Sequence, residues 1–95
     1  MISVKVKAIL HLTTALGGRE QIIVLPKGAC IADLLVELEK KYGDPLIKVF
    51  QRESGELHPQ LILMLNGRNI LFLNGLKTVL KDGDELFFLP AVGGG

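Results

Sequence analysis

The sequence predicts an α+β domain in which a mixed sheet carries one main helix across one face. Three observations point there: period-two alternation at the N-terminus, one stretch of helical spacing between Cys30 and Tyr42, and short apolar runs separated by turn residues in the last third.

Ile2, Val4, Val6, Ala8 and Leu10 alternate with Ser3, Lys5, Lys7, Ile9 and His11, the pattern of a strand with one buried face. Ala15-Leu16-Gly17-Gly18 supplies a turn, and Glu20 to Leu25 returns as a second strand ended by Pro26-Lys27-Gly28. Together they predict an N-terminal hairpin. Ile31, Leu34, Leu35, Leu38 and Tyr42 then fall on one helical face, with Asp33 and Glu37 early and Lys40 and Lys41 late, matching the helix dipole. Gly43 stops that helix and Pro45 follows it. Residues 44–60 lack periodicity and are expected to hold a short helical turn. Leu61 to Leu65 predicts a buried strand running into the Asn66-Gly67 hairpin turn, with Ile70 to Leu73 returning. Asn74-Gly75 and Lys81-Asp82-Gly83-Asp84 are further turns, and Glu85 to Leu89 is the last strand. Pro90 lacks an N–H and is expected to end the pairing. This order is the β-grasp arrangement, a domain over residues 1–89 followed by a flexible glycine tail over residues 90–95.

One helix covers one face of such a sheet, so the other face should alternate to polar residues. It does not. If Leu61, Leu63 and Leu65 face the helix, Ile62 and Met64 point outward; if Leu86 and Phe88 are core, Phe87 and Leu89 are outside. The expected result is an apolar docking patch beside the start of the tail, with Lys5 and Lys7 sharing its outward parity. Residues 44–60 folding over this face is the plainer alternative.

Net charge is +1, with eleven Lys and Arg among ten Asp and Glu, so no electrostatic footprint for nucleic acid or anionic membrane exists. Apolar runs of about five residues fall far short of a membrane span. A single cysteine cannot form an internal disulfide, and a reduced, cytoplasmic setting is expected. Cys30 precedes the helix, where the dipole favours thiolate; the competing reading makes it an N-cap with Asp33 completing a capping box. His11 and His58 supply no metal set of familiar spacing, so no metal is expected. The Asn-Gly and Asp-Gly pairs do not open a helix in phosphate-loop spacing, and no Ser, His and Asp arrangement marks a nucleophile.

The candidate reactive group is therefore the glycine run Gly93-Gly94-Gly95. Without side chains it can thread a narrow slot and present a carboxylate to another protein's active site, and Pro90 to Gly95 would reach roughly 20 Å when extended. A disordered end or an expression scar is the competing reading.

Leu65-Asn66-Gly67-Arg68-Asn69-Ile70, Leu76 to Leu80, and Lys81-Asp82-Gly83-Asp84-Glu85-Leu86-Phe87-Phe88-Leu89-Pro90-Ala91-Val92-Gly93-Gly94-Gly95 resemble the MoaD and ThiS family of ubiquitin-like sulfur carriers, with MoaD the nearer match. The resemblance implies a carrier with no permanently bound cofactor. A ubiquitin-activating-type adenylyltransferase, MoeB-like, would join the Gly95 carboxylate to AMP from ATP, and sulfur from a donor would displace AMP to leave a thiocarboxylate. The large, MoaE-like subunit of molybdopterin synthase would receive the tail and build the dithiolene. Gly94 and Gly95 match the family's diglycine; Pro90, Ala91, Val92, Gly93 and Gly94 would line the slot, while Ile62, Met64, Phe87 and Leu89 would dock. Ala91 stands where many relatives have a second proline, and Gly93 where they have another small residue. The same tail would also serve a protein modifier joined to lysines, or sulfur delivery to thiazole, cysteine or tRNA.

Overall fold

The computed structural model describes residues 1–9, 12–43 and 61–90. The expectations for Leu10, His11, residues 44–60 and Ala91 to Gly95 lie outside them.

Alternating apolar residues build β1 (Ile2–Ala8), whose Ile2, Val4, Val6 and Ala8 are buried while Ser3, Lys5 and Lys7 turn away. β2 (Glu20–Leu25) pairs with it antiparallel, Ile2 opposite Leu25 and Lys7 opposite Glu20, giving the expected hairpin. The link differs from a simple turn. Leu12 and Leu16 lie four residues apart and are both buried, so the chain winds one helical turn, α1 (Leu12–Ala15), before reversing. Gly17 is required there twice: its φ is +75°, and a Cβ would stand 2.7 Å from the Tyr42 ring. Tyr42 in turn donates its hydroxyl to Gln21 Oε1 at 2.8 Å, tying the helix end to β2.

α2 (Ile31–Tyr42) buries Ile31, Leu34, Leu35 and Leu38, the face the spacing predicted. Its first turn is satisfied by Asp33, whose Oδ2 accepts the Cys30 N–H at 2.9 Å. That N–H, and then the Cys30 thiol, hold the Asp33 carboxyl below the usual carboxylate range. At the other end the Gly43 N–H donates to Glu39 O at 2.7 Å with φ 81°, the left-handed stop that glycine permits.

β3 (Leu61–Leu65) reverses through Asn66 and Gly67, both with positive φ (51° and 86°), as a two-residue hairpin demands. The return is shorter than the sequence predicted. β4 (Arg68–Asn69) holds two residues; Asn69 Oδ1 then accepts the Leu71 N–H at 3.0 Å and starts a 3-10 turn, Ile70–Phe72, in place of a strand over 70–73. Burial of Ile70 pulls the chain out of the ladder and into the core. A second 3-10 turn, Gly75–Lys77, leads to an isolated bridge between Val79 and Cys30. β5 (Glu85–Pro90) closes the order. It runs one residue past the expected end, because Pro90 sits opposite Leu61; proline removes only an N–H and its φ suits extended backbone, so it can hold a strand's last position.

The strands form one sheet in the order β2-β1-β5-β3-β4, with β1 and β5 parallel at the centre and the other pairs antiparallel. This is the mixed β-grasp sheet with one main helix. Inward residues of β1, β2, β3 and β5 join the apolar face of α2 in a single cluster around Phe88. Among the described residues no helix is long and apolar enough to cross a membrane.

Two outcomes follow. Phe88→Ala removes a fully buried ring and should cost about 3–5 kcal/mol in urea unfolding; a loss below about 1 kcal/mol would place the core elsewhere. Asp33 titrates lower folded than unfolded, so its contribution is complete above the unfolded pKa and fades as pH falls through the folded one. Asp33→Asn should therefore lower the urea midpoint at neutral pH, and the gap should close in acid, whereas a gap independent of pH contradicts the cap.

Candidate docking face and tail junction

The outer face of the sheet is set by β5 and β3. Their register puts Ile62 opposite Leu89 and Met64 opposite Phe87, and strand alternation sends all four away from the helix. All four are half-buried, while Leu61, Leu63, Leu65, Leu86 and Phe88 on the other face are buried. The parity predicted from sequence thus brings four residues into one compact square. Leu89 and Ile62 lie at its upper edge, adjoining the Pro90–Leu61 pair, so the square ends where the tail begins.

Its other flank is charged. Parallel pairing sets Lys5 beside Glu85 and Lys7 beside Phe87. Lys5 Nζ lies 3.1 Å from Glu20 Oε1 and 3.8 Å from Glu85 Oε1, and Lys7 Nζ lies 3.4 Å from the same Glu85 oxygen. Glu20, by hydrogen bond and charge, raises the Lys5 pKa above the ordinary lysine value against some desolvation, and Glu85 adds to it. Two lysines and two glutamates therefore neutralise one another beside the patch. The apolar square therefore has an internally balanced polar border on this flank.

Cys30 is half-exposed and its N–H serves the helix cap. Among the described residues no group of three His, Cys, Asp or Glu is placed to hold a metal ion. Pro90 closes β5; Ala91, Val92, Gly93, Gly94 and Gly95 lie outside the described residues.

Sequence reasoning missed one feature. Leu71 and Phe72 are 76% and 87% exposed on the first 3-10 turn, more open than any residue of the square. The available signal was Asn69, a residue that caps the N–H two positions on, placed just after a hairpin turn.

A model of the ThiS family matches residues 6–95. The sulfur carrier protein CysO of Mycobacterium tuberculosis is 30% identical over 95 residues, spanning 99% of this chain and 98% of the relative. The solution structure of small archaeal modifier protein 1 from Methanosarcina acetivorans superposes with a TM-score of 0.78 at 38% identity, over all of this chain and 98% of that one. A Pyrococcus furiosus structure described as a candidate molybdopterin converting factor, subunit 1, gives a TM-score of 0.74 at 30% identity, over 97% of this chain and 100% of that one. With its sheet order, its helix and a family match that runs through the terminal glycines, this chain belongs to the ThiS family, β-grasp proteins that act as sulfur carriers and ubiquitin-like small modifiers.

Proposed function

We propose that this chain carries sulfur as a thiocarboxylate on Gly95 and delivers it, as the small subunit of a molybdopterin synthase, to the dithiolene of the molybdenum or tungsten cofactor. The observation that carries the reading is continuity: β5 holds the outward Phe87 and Leu89, ends at Pro90, and is followed by a glycine run that the family match includes. Likeness to the Pyrococcus protein supports the molybdopterin destination.

The chemistry belongs to the chain end and its partners. A carboxylate is a poor electrophile, so an adenylyltransferase, MoeB-like, attaches AMP from ATP to the Gly95 oxygen as pyrophosphate leaves. A sulfur nucleophile from the donor then attacks the acyl carbon and AMP departs. The MoaE-like large subunit takes the tail into its active site, and the glycines let both enzymes close around it without a Cβ obstructing nucleotide or pterin. The apolar square supplies binding away from the reacting atoms, which helps to hold the chain end at its target.

A second reading is favoured by likeness to a modifier: the same activated Gly95 acylates a lysine and forms an isopeptide. Sulfur delivery to thiazole, cysteine or tRNA shares every step before the receiver. A stoichiometric complex with a larger synthase subunit selects the molybdopterin destination, and Gly95-to-lysine conjugates select modification.

Protein purified from its own cells should contain a fraction heavier by the difference between sulfur and oxygen at Gly95, and deleting Gly95 should abolish sulfur transfer while leaving the unfolding midpoint unchanged; full transfer after the deletion overturns the reading. Phe87→Ser together with Met64→Ser should weaken the complex with the large subunit by about 10-fold or more. The same changes should cost less stability than Phe88→Ala, and unchanged affinity would remove the square from the interface.

A further inference from the structure

β2 is one edge of the sheet, and among the described residues no strand pairs with its outer side. The hydrogen bonds of β1 fix which of its backbone groups are left there. Ala8 N–H donates to Arg19 O at 2.9 Å, continuing the register in which Lys7 stands opposite Glu20. Lys5 N–H instead donates to Asp84 O at 2.8 Å, and Ser3 O accepts the Gly83 N–H at 2.8 Å, so odd-numbered residues of β1 bond toward β5 and even-numbered ones toward β2. Bonded positions of an antiparallel pair recur at every second residue. Val4 and Val6 therefore engage Ile23 and Gln21, while Glu20, Ile22 and Val24 direct their N–H and C=O groups to the open edge.

The same three residues turn their side chains outward, leaving Ile22 53% and Val24 54% exposed. Natural edge strands blunt such a row with a lysine, a proline or a bulge. β2 has none of these: its register with β1 runs unbroken from Glu20 to Leu25, and Pro26 comes only after the last paired residue. An unpaired, β-branched ladder of this kind is a template for another strand.

The other edge of the sheet is no match for it. β4 holds two residues before the chain leaves into a 3-10 turn, so copies stacked head to tail would find no strand of comparable length. β2 itself is the matching strand, and antiparallel pairing of β2 with β2 is closed by a twofold axis. Centred on Ile23, that axis sets Ile22 of each copy opposite Val24 of the other, lets both pairs exchange N–H···O bonds, and gathers the exposed aliphatic side chains into one row. Centred on Ile22 it would set the Glu20 carboxylate over Val24 instead. Between β2 and α2 runs a groove bordered by Ile23, Glu37 and Lys41. Lys41 Nζ lies 3.3 Å from Gln21 Oε1 near the start of β2, whereas Glu37, itself 3.4 Å from Lys40, also borders Leu25 and Pro26 near its end. A twofold axis reverses this order and turns Glu37 of each copy toward the Lys41 end of the other. The net charge of +1 sets little repulsion against a second copy.

We propose that two copies of this chain associate through β2, antiparallel about a twofold axis at Ile23, into one continuous sheet. β1 lies between β2 and β5, so the pairing uses neither the square of Ile62, Met64, Phe87 and Leu89 nor Pro90. The inference does not depend on the chemistry at Gly95.

Sedimentation velocity of the full chain, from micromolar concentration upward, should show a monomer converting to a dimer below about 1 mM. Amide exchange at Ile22 and Val24 should slow as the dimer forms, while Ile23, already bonded to β1, changes little. Val24→Lys and Ile22→Lys should each weaken association by about tenfold or more with the melting point retained, since both side chains face outward. Phe87→Ser together with Met64→Ser should leave it intact. A chain that stays monomeric to about 1 mM overturns the proposal. So does a dimer that survives Val24→Lys, or one lost with the changes at Phe87 and Met64, which would assign association to the square. A chain that stays monomeric alone and gains protection at Ile22 and Val24 only when a different protein is added would give the edge to a foreign strand, and that also overturns it.

Discussion

The structure depends on β5 being a central strand. It is paired on one side to β1 and on the other to β3, so both of its backbone edges are used and its two faces must serve different ends. Leu86 and Phe88 seal the core under α2, while Phe87 and Leu89 stand on the outer surface. A slip of one residue would exchange these sets, moving two large rings and two leucines to the wrong faces. The register that builds the core is therefore also the register that builds the docking square and aims the chain at Pro90.

This coupling explains how a domain can serve the proposed transfer without a catalytic side chain. In that proposal the described domain ends in an anchored strand, the square beside it would give a partner something to hold, and reactivity would belong to the glycines beyond. The border of Lys5, Lys7, Glu20 and Glu85 limits the apolar area without leaving a net charge next to it. At the opposite end of the sheet Asp82 and Asp84 brace the turn before β5, accepting from the Ser3 N–H, the Lys81 N–H and Asn66.

Much of this was legible in the sequence because period two and period 3.6 are written directly in Ile2 to Ala8, in Ile31 to Leu38 and in Leu61 to Leu65. The outward parity of Ile62, Met64, Phe87 and Leu89 followed from the same alternation, and the D-G-D-E turn with the following strand and glycines carried the family resemblance. What failed was local competition. The helical turn at Leu12 was hidden by two threonines, although the Leu12 and Leu16 spacing recorded it. Ile70 to Leu73 looked like strand by composition, but the Asn69 cap and the burial of Ile70 outweighed propensity. Pro90 was read as a stop when it needed only to be a last position.

The most direct test of the central claim is pyrophosphate exchange by the cognate adenylyltransferase, comparing the chain with a free Gly95 carboxylate against the same chain ending in a carboxamide. The account predicts ATP-dependent exchange with the free acid and none with the amide, although both fold and both present the same square. Equal exchange with the two would show that the acid group at Gly95 is not what the partner activates.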